Sequence, residues 1–121
     1  MFAIRILVAG AVLAPGAAIA DEAAFAAGRT KQCVECKLVD QRFKGRDLSG
    51  ADLTRAILSG AVFHRAKLLN AKFAGADLTE ANLNKTDLKN ASLANIKAPR
   101  AMFFEADLGL ADLTEIGRAH V

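Results

Sequence analysis

From residue 46 the chain divides into fives: RDLSG ADLTR AILSG AVFHR AKLLN AKFAG ADLTE ANLNK TDLKN ASLAN IKAPR AMFFE ADLGL ADLTE. The third place of each unit is Leu or Phe, Ala98 excepted, and the first is nearly always Ala. The frame also runs backwards through KQCVE CKLVD QRFKG, with Cys33, Leu38 and Phe43 at the third place. A repeat this short constrains the fold more tightly than composition does.

Five residues advance an α-helix by ~500°, so successive Leu would drift around the cylinder. In a flat strand, odd spacing would send them to alternate faces. What remains is a three-residue extended piece followed by a corner. The first and third residues then face inward, the second faces out, and two small or polar residues turn the chain. Equal corners, repeated, wind the chain into a coil that stacks on its neighbours.

The A-(D/N)-L-x-x pattern of Ala51-Asp52-Leu53, Ala76-Asp77-Leu78, Ala81-Asn82-Leu83 and Ala111-Asp112-Leu113 resembles the pentapeptide-repeat family, over roughly residues 31–115. The resemblance implies an all-β fold, a right-handed parallel β-helix of square cross-section with four units per coil. Units 36–115 would make about four coils, ~19 Å tall at ~4.8 Å per stacked strand. At twenty residues per coil, a first face stacks Leu48, Leu68, Leu88 and Leu108, and a second Leu53, Phe73, Leu93 and Leu113. A third stacks Leu38, Leu58, Leu78 and Ala98, and a fourth Phe43, Phe63, Leu83 and Phe103. Gln41 and Arg46 break the small-first rule at the N-terminal end, where a long side chain could escape past an uncovered coil.

Met1 to Ala20 reads as a secretory signal peptide: Arg5, the apolar run Ile6 to Leu13, a Pro15-Gly16 break, and Ala18-Ile19-Ala20 before Asp21. The apolar run is shorter than the ~20 residues a bilayer requires. The product is expected to be periplasmic or secreted, without a membrane span, where disulfides are permitted. Residues 21–35 are expected to form an N-terminal cap: a short helix over Asp21 to Gly28, then the start of a Cys-x-x-Cys motif. The alternative for the helical stretch is a floppy leader left by processing.

Cys33-Val34-Glu35-Cys36 could be a structural disulfide, a pair of inert thiols, a redox pair, or half of a metal site. Haem attachment needs a following His, and Lys37 stands there. The repeat frame turns both cysteines inward, and a disulfide pinning the cap is the preferred reading.

Sixteen basic and thirteen acidic residues give +3, and removal of Arg5 lowers this by one. The balance speaks against nucleic-acid binding and equally against an acidic DNA mimic. Asp47, Asp52, Asp77, Asp87, Asp107 and Asp112 recur at the second place, read as solvation and turn hydrogen bonding. No catalytic constellation stands out, so neither enzymatic activity nor a cofactor or metal is expected. The fourth face differs: Arg42, Lys44, His64, Arg65 and Lys85 lie outward with Val62, Met102 and Phe104 exposed among them. Basic beside apolar residues suit a protein partner or an anionic surface.

Residues 116–121, Ile116-Gly117-Arg118-Ala119-His120-Val121, leave the repeat. They are what the string ATCGGAAGAGCACACGTC encodes, which matches a common sequencing adapter. They are therefore expected to be an artefact, with the natural C-terminus elsewhere; the alternative is a genuine short tail. The leading functional expectation is a non-enzymatic exported solenoid acting as an interaction scaffold. The alternatives are a periplasmic thiol/disulfide redox protein using Cys33 and Cys36, and, by family analogy, a DNA-mimicking topoisomerase inhibitor, which the charge and export signal oppose.

Overall fold

Every fifth residue from Glu35 to Glu115 has a positive φ, between 57° and 78°, and the fourth residue of each unit does not. That alternation is the signature of a type II turn, with the left-handed residue at its third place. The turn is closed by the first-place N–H donating back to the third-place carbonyl, as from Ala51 to Leu48 at 3.0 Å and from Ala56 to Leu53 at 3.0 Å. Residues 21–116 are described by the structure, a computed structural model. The expected signal peptide and residues 117–121 of the expected tail lie outside the described residues.

Between corners the chain pairs with itself one coil away. Thirteen parallel bridges, from Gln32 with Asp52 to Ser92 with Asp112, are each offset by twenty residues, so four units complete a coil. Each is an isolated bridge at the second place, and among the described residues no extended strand forms. The expected all-β character is thus realised as one-residue bridges, because the corner takes two residues of every five. The bridged path begins at Gln32, one unit ahead of the boundary expected at residue 36.

The hydrogen bonds of one unit can be fully accounted for. The second-place N–H reaches the first-place carbonyl of the preceding coil, as Asp52 to Lys31 at 2.8 Å. The third-place N–H reaches the second-place carbonyl of the next coil, as Leu53 to Lys72 at 2.7 Å. The fifth-place N–H reaches the fourth-place carbonyl of the next coil, as Arg55 to Ala74 at 2.9 Å. Only the fourth-place N–H lacks a main-chain acceptor, and this explains the recurrent Asp or Asn two residues earlier. Asp47, Asp52, Asp77, Asn82, Asp87, Asp107 and Asp112 each accept that N–H through Oδ1, at 3.0–3.2 Å.

The core is the stack of first- and third-place side chains. Leu53, Leu58, Phe63, Leu68, Phe73, Leu78, Leu83, Leu88 and Leu93 are fully buried, as are the alanines between them. Ala98 is buried too, and the bulk its unit lacks comes from Ile96, which takes the first place and is also buried. Thr86, the buried hydroxyl among the alanines, donates to the Leu83 carbonyl at 2.7 Å. In the fourth-face column Phe43 and Phe63 stack at 5.2 Å, and Phe63 meets Phe73 of the second face edge-on at 5.9 Å.

Helix α1, Glu22–Ala26, covers the first coil. Asp21 caps it by accepting the Ala24 N–H at 3.0 Å. Its other end closes with the Arg29 N–H on the Ala24 carbonyl and the Gly28 N–H on that of Phe25. That Schellman pair requires the left-handed Gly28, at φ 83°. Phe25 is fully buried and set edge-on to Phe43 at 5.5 Å. Glu22 Oε2 accepts the N–H of Lys37 at 3.0 Å, a donor left over because no coil precedes it. Arg46 does not escape past an open end. Its Nη1 donates to the Ala26 carbonyl at 2.9 Å, and its guanidinium lies 5.5 Å from the Phe43 ring centroid. The long side chain at a first place is a clamp on the helix C-terminus.

At the other end Ile116 keeps to the pattern expected to stop at Glu115. Its N–H donates to Leu113 at 3.2 Å and its side chain packs against the core. Leu88 lies mid-stack with no solvent exposure. A carboxylate there has neither water nor partner, which costs several kcal/mol, and coils on both sides depend on it. Leu88→Asp is expected to abolish the cooperative melt followed by circular dichroism, while Lys89→Ala on the surface changes it by no more than ~0.5 kcal/mol.

Candidate functional site

The fourth face carries the candidate interaction residues on three vertical ranks, one of them the corner places of Arg65 and Lys85. Arg42, Val62, Asn82 and Met102 are bridged one above another. Lys44, His64, Asn84 and Phe104 follow in the same register, since the fifth-place N–H of Gly45, Arg65 and Lys85 reaches the carbonyls of His64, Asn84 and Phe104. All the residues proposed for this face from the sequence are therefore brought together on one side of the coil. Val62, expected to be exposed, is half-buried between its bridge partners, as is His64. Met102 is 45% and Phe104 66% exposed.

Charge compensation separates this face from the other three. On the first face Lys67 is bridged between Asp47 and Asp87, and Lys89 pairs with Asp87 at 3.5 Å and Asp107 at 3.7 Å. On the second, Asp52 is bridged to Lys72 and Arg55 pairs with Glu35 at 2.9 Å. On the third, Asp77 is bridged to Lys97 and Arg100 pairs with Glu80 at 2.8 Å. The fourth face has no acid at any second or fourth place. Its one carboxylate, Glu105, pairs with Lys85 at 3.7 Å, and Arg42, Lys44 and Arg65 form no ion pair among the described residues.

The electrostatics register this. Burial, then the positive charges of Arg65, Lys44 and Lys85, push the His64 imidazole below its ordinary value. Elsewhere turn hydrogen bonds dominate. The Ser49 N–H and hydroxyl hold Asp47 below its ordinary value, and the Thr114 hydroxyl and N–H do so for Asp112. For Asp77, desolvation works upward but is outweighed by the Thr79 hydroxyl and N–H, Lys97 and Ser59. These carboxylates are fixed turn components, in line with their reading as turn hydrogen-bond acceptors. Among the described residues no three His, Cys, Asp or Glu side chains are placed to hold a metal ion.

Cys33 and Cys36 are joined by a disulfide, with Cα atoms 5.2 Å apart. They are the first and last residues of one corner, whose Cys36 N–H donates to the Cys33 carbonyl at 3.2 Å. Both are fully buried. At the C-terminal end Leu93, Phe103, Leu108, Leu113 and Ile116 line an apolar depression of about 280 Å³. Phe103, Leu108 and Leu113, each the last of its column, were the signal of it in the sequence.

The family model for pentapeptide repeats matches eight copies over residues 47–84 and 81–116. The chain is a pentapeptide-repeat protein. A pentapeptide-repeat protein from the thylakoid lumen of Arabidopsis thaliana is 32% identical, with a TM-score of 0.62. That likeness covers 71% of this chain and 57% of the plant protein, so the chain spans little more than half of that relative's length. A pentapeptide-repeat protein of the cyanobacterium Cyanothece 51142 is 21% identical, with a TM-score of 0.47, over 68% of this chain and 86% of its own. HetL of Nostoc, a pentapeptide-repeat protein involved in heterocyst differentiation, is 28% identical, with a TM-score of 0.42, over 70% of this chain and 48% of its own. No curated protein matches the chain. No helix among the described residues is long and apolar enough to cross a membrane.

Two outcomes follow from this geometry. Replacing both Cys33 and Cys36 by Ser releases a four-residue loop in the unfolded chain, and is expected to lower stability by about 2 kcal/mol in urea denaturation. By NMR, His64 is expected to titrate below 6.5, and Arg65→Glu is expected to raise that value by removing a repelling charge. A His64 titration unmoved by Arg65→Glu would mean that the fourth-face charges are not clustered.

Proposed function

We propose that this pentapeptide-repeat protein is a non-enzymatic, exported solenoid, wound right-handed as its family is, that holds its fourth face rigidly toward a protein partner. The observation that carries the reading is the uncompensated charge of that face beside exposed Met102 and Phe104, on a molecule whose other faces are internally balanced. Pentapeptide-repeat proteins are generally structural or interaction proteins, which agrees with a non-enzymatic role.

Export is supported by the signal-like residues 1–20 and by the disulfide, a bond that persists in oxidising compartments. The plant relative of the thylakoid lumen is itself named for a compartment beyond a membrane. We read Cys33–Cys36 as structural. A redox pair needs an accessible, activated thiolate, and these sulfurs lie in the core across a single corner. A DNA-mimicking role finds no support in a surface whose most strongly charged face is basic.

The test uses the chain made from its complete gene in its own cells, with a photo-crosslinking residue at position 65 on the fourth face or at position 54 on the second. The expected result is a chain beginning at Asp21 in the exported fraction, giving a discrete protein adduct from position 65 and none from position 54. Adducts of equal yield from both positions, or none from either, would remove the fourth face from the function. An unprocessed N-terminus in the cytoplasm would remove export.

A further inference from the structure

The fourth face is not uniform along the solenoid axis. Its first two coils carry Arg42, Lys44, His64 and Arg65, the third carries Asn82, Asn84 and Lys85, and the fourth carries Met102, Phe104 and Glu105, whose carboxylate is taken up by Lys85 at 3.7 Å. Bridges tie Arg42, Val62, Asn82 and Met102 into one column, so three coil steps, about 14 Å, separate the basic end from the apolar end. The middle is a row of donors. Asn82 Oδ1 is occupied by the Asn84 N–H at 3.0 Å and Asn84 Oδ1 by the Phe104 N–H at 2.7 Å. Both side-chain oxygens are thereby engaged, which leaves each amide NH₂ to the outside.

This order selects a ligand. A membrane surface meets cationic and apolar groups side by side at one depth, whereas here they are segregated along a straight column. We propose that the fourth face binds an extended protein segment lying parallel to the solenoid axis, with its acidic residues over Arg42, Lys44 and Arg65 and a large apolar side chain against Met102 and Phe104. An extended chain rises about 3.3 Å per residue, so the acid and the apolar residue are separated by about four positions. Backbone carbonyls of the intervening residues meet the amides of Asn82 and Asn84. The same span along a helix would need about nine residues and would offer those amides no free carbonyls. The inference rests on the functional reading above and adds the chemistry of the partner to it.

Fluorescein-labelled synthetic peptides test it by anisotropy at low salt: two aspartates, a serine spacer and one phenylalanine, with the phenylalanine two, four or eight positions after the second aspartate. The four-position peptide is expected to bind at least about fivefold more tightly than the others. Arg42→Glu with Arg65→Glu is expected to weaken it by about tenfold or more and to remove most of its salt dependence. Phe104→Ser is expected to erase the preference for spacing while leaving the salt dependence. These variants should fold, since Glu80 and Glu105 already occupy the corner place of Arg65, Asp47 and Asp52 the second place of Arg42, and Phe104 is exposed, and a native melt verifies it. Affinity independent of spacing, affinity unmoved by the variants, or tighter binding to phosphatidylserine vesicles than to any peptide would overturn the proposal. Should the peptides fail while position 65 still captures a protein in the exported fraction, only the chemistry assigned to the partner is wrong. If both fail, the fourth face is not a binding surface.

Discussion

The architecture depends on one corner, repeated without exception from Glu35 to Glu115. At its third residue the backbone must enter the left-handed region, where a side chain other than Gly costs roughly 1–2 kcal/mol. Gly holds the corner at residues 45, 50, 60 and 75, while Arg, Lys, Glu, Asp, Asn and even Leu110 hold it elsewhere. So many unfavourable residues persist because hydrogen bonds between coils over-determine the corner: from Glu35 to Asn95 its N–H is tied to the next coil, and at Arg100, Glu105, Leu110 and Glu115 the carbonyl just before it accepts from the coil before. At Gly60 the choice is tighter still, since a Cβ there would run into the Asp40 carboxylate of the coil before.

Once the corner is fixed, the rest of the unit has little freedom. Places one and three must fill a narrow square, hence Ala beside Leu, and the Ile96 and Ala98 exchange shows that the pair's total volume is what matters. Place two must both bridge and serve the stranded N–H of place four, which favours Asp or Asn. Faces where place two is Arg42, Val62 or Met102 give up that hydrogen bond. The third and fourth faces keep one such bond each, at Asp77 and Asn82, against three on the first face and two on the second.

The period, the coil of twenty residues and the inward stacks were legible in the sequence because each follows from side-chain size at fixed intervals. The gathering of Arg42, Lys44, His64 and Arg65 was legible for the same reason, since register alone places them. What the sequence concealed were interactions that cross the repeat boundary. Arg46 reads as a misfit in the Ala column and only the helix carbonyls above it reveal a clamp. Val62 reads as exposed because the burial of a second-place residue depends on the bulk of its neighbours one coil up and down. Ile116 reads as foreign to the pattern because its identity, not its position, is unusual.

The two ends of the solenoid bring the same physics to opposite results. At the N-terminal end a stack of coils exposes main-chain donors and apolar rings, and the chain answers each: Glu22 for the Lys37 N–H, Phe25 for the Phe43 ring, Lys31 Nζ for the Ser49 carbonyl at 2.8 Å. The disulfide belongs with these, because the first corner has a coil on one side only and loses half of the bonds that restrain the others. A cross-link between its first and last residues replaces that missing neighbour. The closed end also makes the coils beneath it rigid. Arg42 and Lys44 lie in the coil that α1 covers, so the basic half of the fourth face is held by the best-braced part of the molecule. A charged surface mounted in this way loses little backbone freedom on binding, which favours discrimination by spacing over adaptation to many shapes.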